Sequence, residues 1–301
     1  MDPLTVFKQY GVTPLAYSTL QPKAQHFWYK RDGYIAYFTH YFLGKRYISV
    51  LGDPIADPQL WPELIAQFIH HYPHACFYNI STGCNSILSQ NHFNGHAVGW
   101  DVYWDPFQPI PSKRALKRCR RLQKKHSILL SESPISSSDY SWMNNITQQW
   151  LSTRHISHEL NTFFSRPLQP AVDTLCRYVV ARDHSQQPIG FMVLDPLYRS
   201  GSCIGYVVNH LRYLPQYPFL SRLFLQFSAH QIISLGPVTC SSSSLFFRFN
   251  YCYSFQGLNQ FRTYYPHFKS KLYSAYRSTI YWHHWLALYC SFFKRQSLII
   301  I

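Results

Sequence analysis

No aspartate or glutamate follows Asp195, so from Pro196 to Ile301 a proton acceptor has to be a histidine, a tyrosine or the substrate itself. His210, His230 and His267 are the candidates. His210 sits at the end of an expected strand beside Arg212. An ordinary imidazole titrates near pH 6.5, which suits base work at neutral pH, and the planar guanidinium of Arg212 suits a phosphate. Arg262, Lys269 and Lys271 are placed to line a phosphate groove. The plainer reading of these residues is a structural strand-end histidine and solvated surface cations. The 16 histidines and 8 cysteines show neither H-E-x-x-H nor C-x-x-C spacing, so no metal site is expected. The thiols read as reduced core filler.

The densest chemical feature is Lys113-Arg114-Ala115-Leu116-Lys117-Arg118-Cys119-Arg120-Arg121-Leu122-Gln123-Lys124-Lys125. Eight of these 13 residues are Lys or Arg and none is acidic. On a helix, Ala115, Leu116, Cys119 and Leu122 make a narrow apolar stripe and the charges cover the rest. A merely solvated face mixes signs, because unmixed charge repels itself. Lys113, Arg114, Lys117, Arg118, Arg120, Arg121, Lys124 and Lys125 are therefore read as polyanion contacts. The chain carries a net charge of +15, which favours nucleic acid, an anionic bilayer face or a phosphorylated ligand.

Around these residues the periodicities predict two similar halves. Phe27–Tyr29 and Tyr34–Tyr37 flank a hairpin turn at Arg31-Asp32-Gly33, and Arg46–Leu51 continues as a strand. Residues 58–71 read as a helix, with Leu60, Leu64, Ile65, Phe68 and Ile69 on one face. Strands follow at 76–80 and 97–104, then a break at Pro109-Ile110-Pro111, with Ser112 an N-cap signal for the basic helix. Residues 131–138 read as a linker. The second half offers a helix at 140–152, strands at 177–182, 189–194 and 203–208, a helix at 219–230 and a strand at 232–237. Both halves run from antiparallel strands to a helix to another strand. That predicts an α/β (α+β) fold of two tandem acetyltransferase-like (GNAT-like) lobes, 1–111 and 139–301, joined by a basic helix and linker, 112–138.

At 301 residues, 47% hydrophobic, the chain is large enough to fold without disulfide or metal, and disorder of its bulk is excluded. Met1-Asp2-Pro3-Leu4 has no basic or apolar leader pattern, so a cytoplasmic location is expected. The most apolar stretch, Tyr281 to Phe293, is too short to span a bilayer. It reads as a terminal core helix, or as an interfacial helix with Trp282, Trp285, Leu286 and Phe292 toward lipid.

These pieces fall in a known order. Gly52-Asp53-Pro54, the basic helix, Trp150-Leu151 followed by Phe163 and Phe164, the hairpin from Val180-Ala181 to Gly190-Phe191, and Ser234-Leu235-Gly236 are collinear. So is the last block, Phe255-Gln256-Gly257-Leu258-Asn259-Gln260-Phe261-Arg262 with Pro266 and Lys271-Leu272-Tyr273. Together they resemble the C-terminal catalytic region of bacterial lysylphosphatidylglycerol synthases, the aminoacyl-tRNA:phosphatidylglycerol transferases. The resemblance implies an aminoacyl-tRNA donor, no bound cofactor, a lipid acceptor or other small acceptor, and attachment to the inner membrane face. It places the active cleft near Asn209, His210 and Arg212, and of the second-lobe acids Asp173, Asp183 and Asp195 one is expected to hold the donor's α-amino group, with Asp183 discounted because it lies in a turn. Two departures stand out. Asn209 replaces the acid of the family's Asp-Leu-Met-Arg motif, and Arg262 keeps only the first cation of Phe-Lys-x-Lys-Phe. The family's membrane flippase has no counterpart in the sequence.

Two rivals remain at this stage. An acyl-CoA-dependent N-acyltransferase would seat a pyrophosphate on a Gly-rich turn opening a helix, but Pro215-Gln216-Tyr217-Pro218 has no glycine. A non-catalytic tRNA- or membrane-binding module would keep the basic helix and tolerate Asn209.

Overall fold

The computed structural model describes residues 2–104, 113–153, 166–170, 173–228, 230, 232–239 and 267–277. Arg262, the 255–266 block, the aromatic tract 246–255 and the apolar tail 281–293 lie outside the described residues.

The chain opens with a helix the sequence reading did not anticipate, Pro3–Tyr10 (α1), capped by Asp2 with Pro3 in its first turn. Asp-Pro at a helix start is a legible signal. Gln25–Tyr29 (β1), Gly33–Phe42 (β2) and Lys45–Leu51 (β3) form the expected antiparallel meander. Asp57 caps a short 3-10 turn, and Trp61–His71 (α2) buries Leu64, Ile65, Phe68 and Ile69, the face that the 3.6-residue period predicted. Cys76–Ile80 (β4) then lies parallel to β3. A second unanticipated helix, Thr82–Gln90 (α3), starts from its Ser81 cap and leads to Asn94–Trp104 (β5).

The basic helix forms as expected, Lys113–Lys125 (α4). An edge strand, Leu129–Glu132 (β6), takes in the first two residues of the stretch read as a linker and precedes Tyr140–Ser152 (α5). Arg177–Arg182 (β7), Pro188–Arg199 (β8) and Ser202–Tyr213 (β9) run antiparallel. Leu220–Phe227 (α6) crosses to Ile232–Thr239 (β10), which is parallel to β9. The two halves thus repeat one plan, α2 joining the parallel pair β3/β4 as α6 joins β9/β10.

They do not form separate sheets. One sheet of 11 strands runs β1-β2-β3-β4-β11-β5-β10-β9-β8-β7-β6. Its β11, His267–Tyr276, comes from the C-terminal part of the chain and lies between β4 and β5 of the first half, antiparallel to both. Strand β10 bonds to β5 across the junction. Helices α2, α3, α4 and α6 cover one face. On the other, Phe7, Tyr17, Tyr34 and Ile55 from the first half share a core with Met143, Ile146, Phe191 and Val193 from the second. Helix α1 belongs to this shared core, and residues 8, 9 and 11 accept backbone hydrogen bonds from Gly201, Ser200 and Tyr198 at the β8–β9 turn.

Candidate functional site

Strand β9 bonds to β8 along its length but to β10 only at Tyr206 and Val207. Past Val207 the parallel strands part, and Asn209, His210 and Arg212 lie on the stretch that follows. The β8 register jumps from Val208 to His210, so Asn209 is the extra residue of a bulge. Bulges re-aim side chains and gather near active sites. The Asn209 amide donates to the Arg166 carbonyl at 3.4 Å.

His210 and Arg212 pair with Val193 and Phe191, so they project to the face shared with α1 and α5. The Arg212 guanidinium stacks 4.1 Å from the Trp150 ring centre on α5. It lies 3.5 Å from His210 Nδ1 and donates to the Leu211 carbonyl at 3.2 Å. His210 is only 3% exposed. Burial, then the positive charges of Arg212 and Arg166, hold its pKa well below the ordinary histidine value. The imidazole is therefore neutral at physiological pH, and a proton placed on it would be buried and repelled by the charges of Arg212 and Arg166. That makes it a poor general base and a good rigid support for Arg212.

Arg166 anchors this region from below. Its Nη2 donates to Asp195 Oδ1 at 2.7 Å and to Cys176 Sγ at 3.0 Å, and its Nη1 lies 3.3 Å from Asp173 Oδ2. Tyr17, from the first half, donates to both Asp173 oxygens at 2.7 and 2.8 Å. Burial opposes the arginine's charge, but the carboxylates of Asp195 and Asp173 more than offset it and raise its pKa. Burial, then Asp195, pushes the Cys176 thiol up, so it is a protonated thiol rather than a nucleophile. Asp173, the acid expected to hold a substrate amine, accepts from Tyr17 and pairs with Arg166.

A cleft with about 380 Å³ of open volume lies on the same face, at the carboxyl ends of the parallel pair β3 and β4. Thr13, Gly52, Asp53, Asn79, Asp101 and Tyr103 are among its walls. Asp53 accepts from the Ser81 backbone N–H at 2.8 Å, and burial raises its pKa to about 6. Asp101 accepts from Ser234 Oγ at 3.1 Å, linking β5 to β10. Gly52-Asp53-Pro54 is thus a turn whose carboxylate caps the start of α3.

The opposite face is cationic. On α4, Cys119 is buried against the core under α6, while Arg114, Lys117, Arg118, Arg120, Arg121, Lys124 and Lys125 are exposed. Lys113 is the first residue of the helix. Lys269 and Lys271 on β11 are exposed and pair with Val102 and Trp100 of β5. Val102 packs in the core under α4 and α6, so alternation along the strand puts both lysines on the α4 face. Ser270, between them, lines the cleft on the other side.

The structure thus brings Asn209, His210 and Arg212 together with Asp173, and sets Lys269 and Lys271 on the face of the basic helix. Sequence reasoning missed Arg166 and Tyr17. Neither stands in a motif, because the partners of each are brought near only by folding. Among the described residues no group of three His, Cys, Asp or Glu converges as metal ligands, and no helix is long and apolar enough to cross a membrane.

No curated protein matches the chain in a sequence search. Among solved structures, L-PGS from Bacillus licheniformis superposes with a TM-score of 0.79 at 17% identity, covering 96% of this chain and 95% of that one. The C-terminal domain (DUF2156) assigned as a lysylphosphatidylglycerol synthetase from Agrobacterium fabrum gives 0.76 at 17%, covering 96% and 94%. A conserved protein of unknown function from Bacteroides thetaiotaomicron gives 0.54 at 10%, covering 91% and 96%. At these identities the likeness is one of fold. The family profile for the C-terminal region of phosphatidylglycerol lysyltransferase matches residues 4–276, nearly the whole chain, and on that match this chain belongs to the phosphatidylglycerol lysyltransferase C-terminal family.

Proposed function

We propose that this protein transfers an aminoacyl group from its tRNA ester to a hydroxyl of phosphatidylglycerol or a similar acceptor. The acceptor oxygen attacks the ester carbonyl, the bond from that carbonyl carbon to the tRNA ribose oxygen breaks, and the acceptor's proton ends on the leaving ribose oxygen. Arg212, held between Trp150 and the neutral His210, stabilises the negative charge that develops on the carbonyl oxygen or binds the lipid phosphate. His210 positions Arg212 rather than carrying the proton. The basic face of α4, with Lys269 and Lys271, holds the tRNA backbone.

The observation that carries this reading is the unmixed cationic surface of α4, in a chain whose family acts on phosphatidylglycerol. The test is purified protein with tRNA charged with radiolabelled amino acids and phosphatidylglycerol liposomes, with label followed into the organic phase. Label in lipid, lost when Arg118, Arg121 and Lys125 are all changed to Glu, is the expected result. Salt-sensitive tRNA binding with no label in lipid would instead favour a binding module.

A further inference from the structure

Two of the most exposed large apolar side chains stand together at the tip of the β2–β3 hairpin, Tyr41 at 65% and Leu43 at 80%. The hairpin projects there. Tyr37 is the last β2 residue paired with β1, while residues 39–42 pair only with 45–48 of β3. Leu43 and Gly44 form a two-residue turn with φ of 48° and 71°. That left-handed geometry ordinarily selects Asn-Gly. Neither burial nor backbone preference accounts for a leucine at this position.

Charge is segregated along the same hairpin. Lys45 and Arg46 are exposed beside the tip, Arg46 lying 5.7 Å from the Tyr72 ring centre just past the end of α2. Arg277, just past β11 at this same end of the sheet, is also exposed and donates to the Asn91 carbonyl. Five acids of this half gather at the other end, a strand length of roughly 30 Å away. Asp32 is in the β1–β2 turn, Asp53 and Asp57 follow β3, Glu63 opens α2, and Asp101 lines the cleft with Asp53.

We propose that this tip docks the protein on an anionic bilayer, with Leu43 and Tyr41 entering the boundary between headgroups and acyl chains and Lys45 and Arg46 pairing with the headgroups. A narrow projecting turn suits a fluid surface. It does not suit a protein partner, which would need about 800 Å² on each side. The inference deepens the proposed function by naming how a lipid acceptor's surface is reached, and it rests on that reading for its biological use alone. Its test contains no tRNA, so it succeeds or fails apart from the transfer reaction.

The experiment is co-sedimentation of the full chain with vesicles of equal parts phosphatidylglycerol and phosphatidylcholine, and with phosphatidylcholine alone. Wild type is expected on the anionic vesicles only. Leu43→Asn suits the turn better and should leave the melting temperature unchanged or raised, while lowering vesicle partitioning roughly tenfold. Lys45→Glu should lower it severalfold. Absence of wild-type binding, or equal binding by Leu43→Asn, overturns the proposal. So does a Leu43→Asn variant that changes only the oligomeric state in sedimentation velocity, which would give the tip to a second copy of the chain.

Discussion

Arg166 faces two carboxylates and a thiol in a buried setting, so removing its charge leaves Asp173 and Asp195 uncompensated. Breaking one side of such a pair typically costs about 3–5 kcal/mol. Arg166→Met should lose that much in urea denaturation, far more than an exposed arginine such as Arg118 changed the same way. Asp53 makes a prediction of opposite pH sense to ordinary acid denaturation. Its folded pKa, about 6, lies above the unfolded carboxylate value, so the folded state binds the proton more tightly. The stability it contributes is full below about pH 3.9 and is lost as pH rises through 6. Asp53→Asn keeps an acceptor for the Ser81 N–H. It should therefore stabilise the protein more at pH 8 than at pH 4, by up to about 3 kcal/mol, as read from melts across that range. Equal effects at both pH values would show that the carboxyl is not held up.

Helix α4 acts as a unit. It packs through Cys119 against the α6 side of the core, and its exposed positions carry cations without a single acid. If these contact phosphates, each one removed lowers the slope of log affinity against log salt by about 0.9. Changing Arg118, Arg121 and Lys125 to Glu should therefore flatten the slope for tRNA binding by about 2–3 and leave the fold intact by circular dichroism. An unchanged slope would remove α4 from the interface. The amphipathic α2 and α4 were legible because their periods are local. Helix α1 and helix α3 carry clear caps but only short apolar faces, and so escaped notice. Strand β11 escaped for another reason: its buried positions are Leu272, Ser274 and Ala275, and serines hidden in a core do not read as a hydrophobic alternation.

The molecule as a whole should unfold in one step. One sheet spans both halves, β11 completes the first half from the far end of the chain, and the core around Phe7, Tyr17, Phe191 and Val193 belongs to both. Calorimetric and van't Hoff enthalpies are expected to agree despite the size of the chain. A chain ending at residue 111 lacks β11 between β4 and β5, and should stay unfolded by circular dichroism. Two calorimetric transitions, or a folded fragment, would mean the halves are independent.

The sequence by itself determined the repeated strand–helix–strand plan and the basic helix. Those depend on local periodicity, capping and charge density, which are written in consecutive residues. The tertiary structure decided what the candidate site residues can do. It buried His210 near two arginines and so made it neutral, it tied Asp173 to Tyr17 across 156 positions, and it turned Lys269 and Lys271 to the α4 face by threading β11 between β4 and β5. Desolvation and long-range pairing depend on which distant segments meet, and no window of sequence contains both partners.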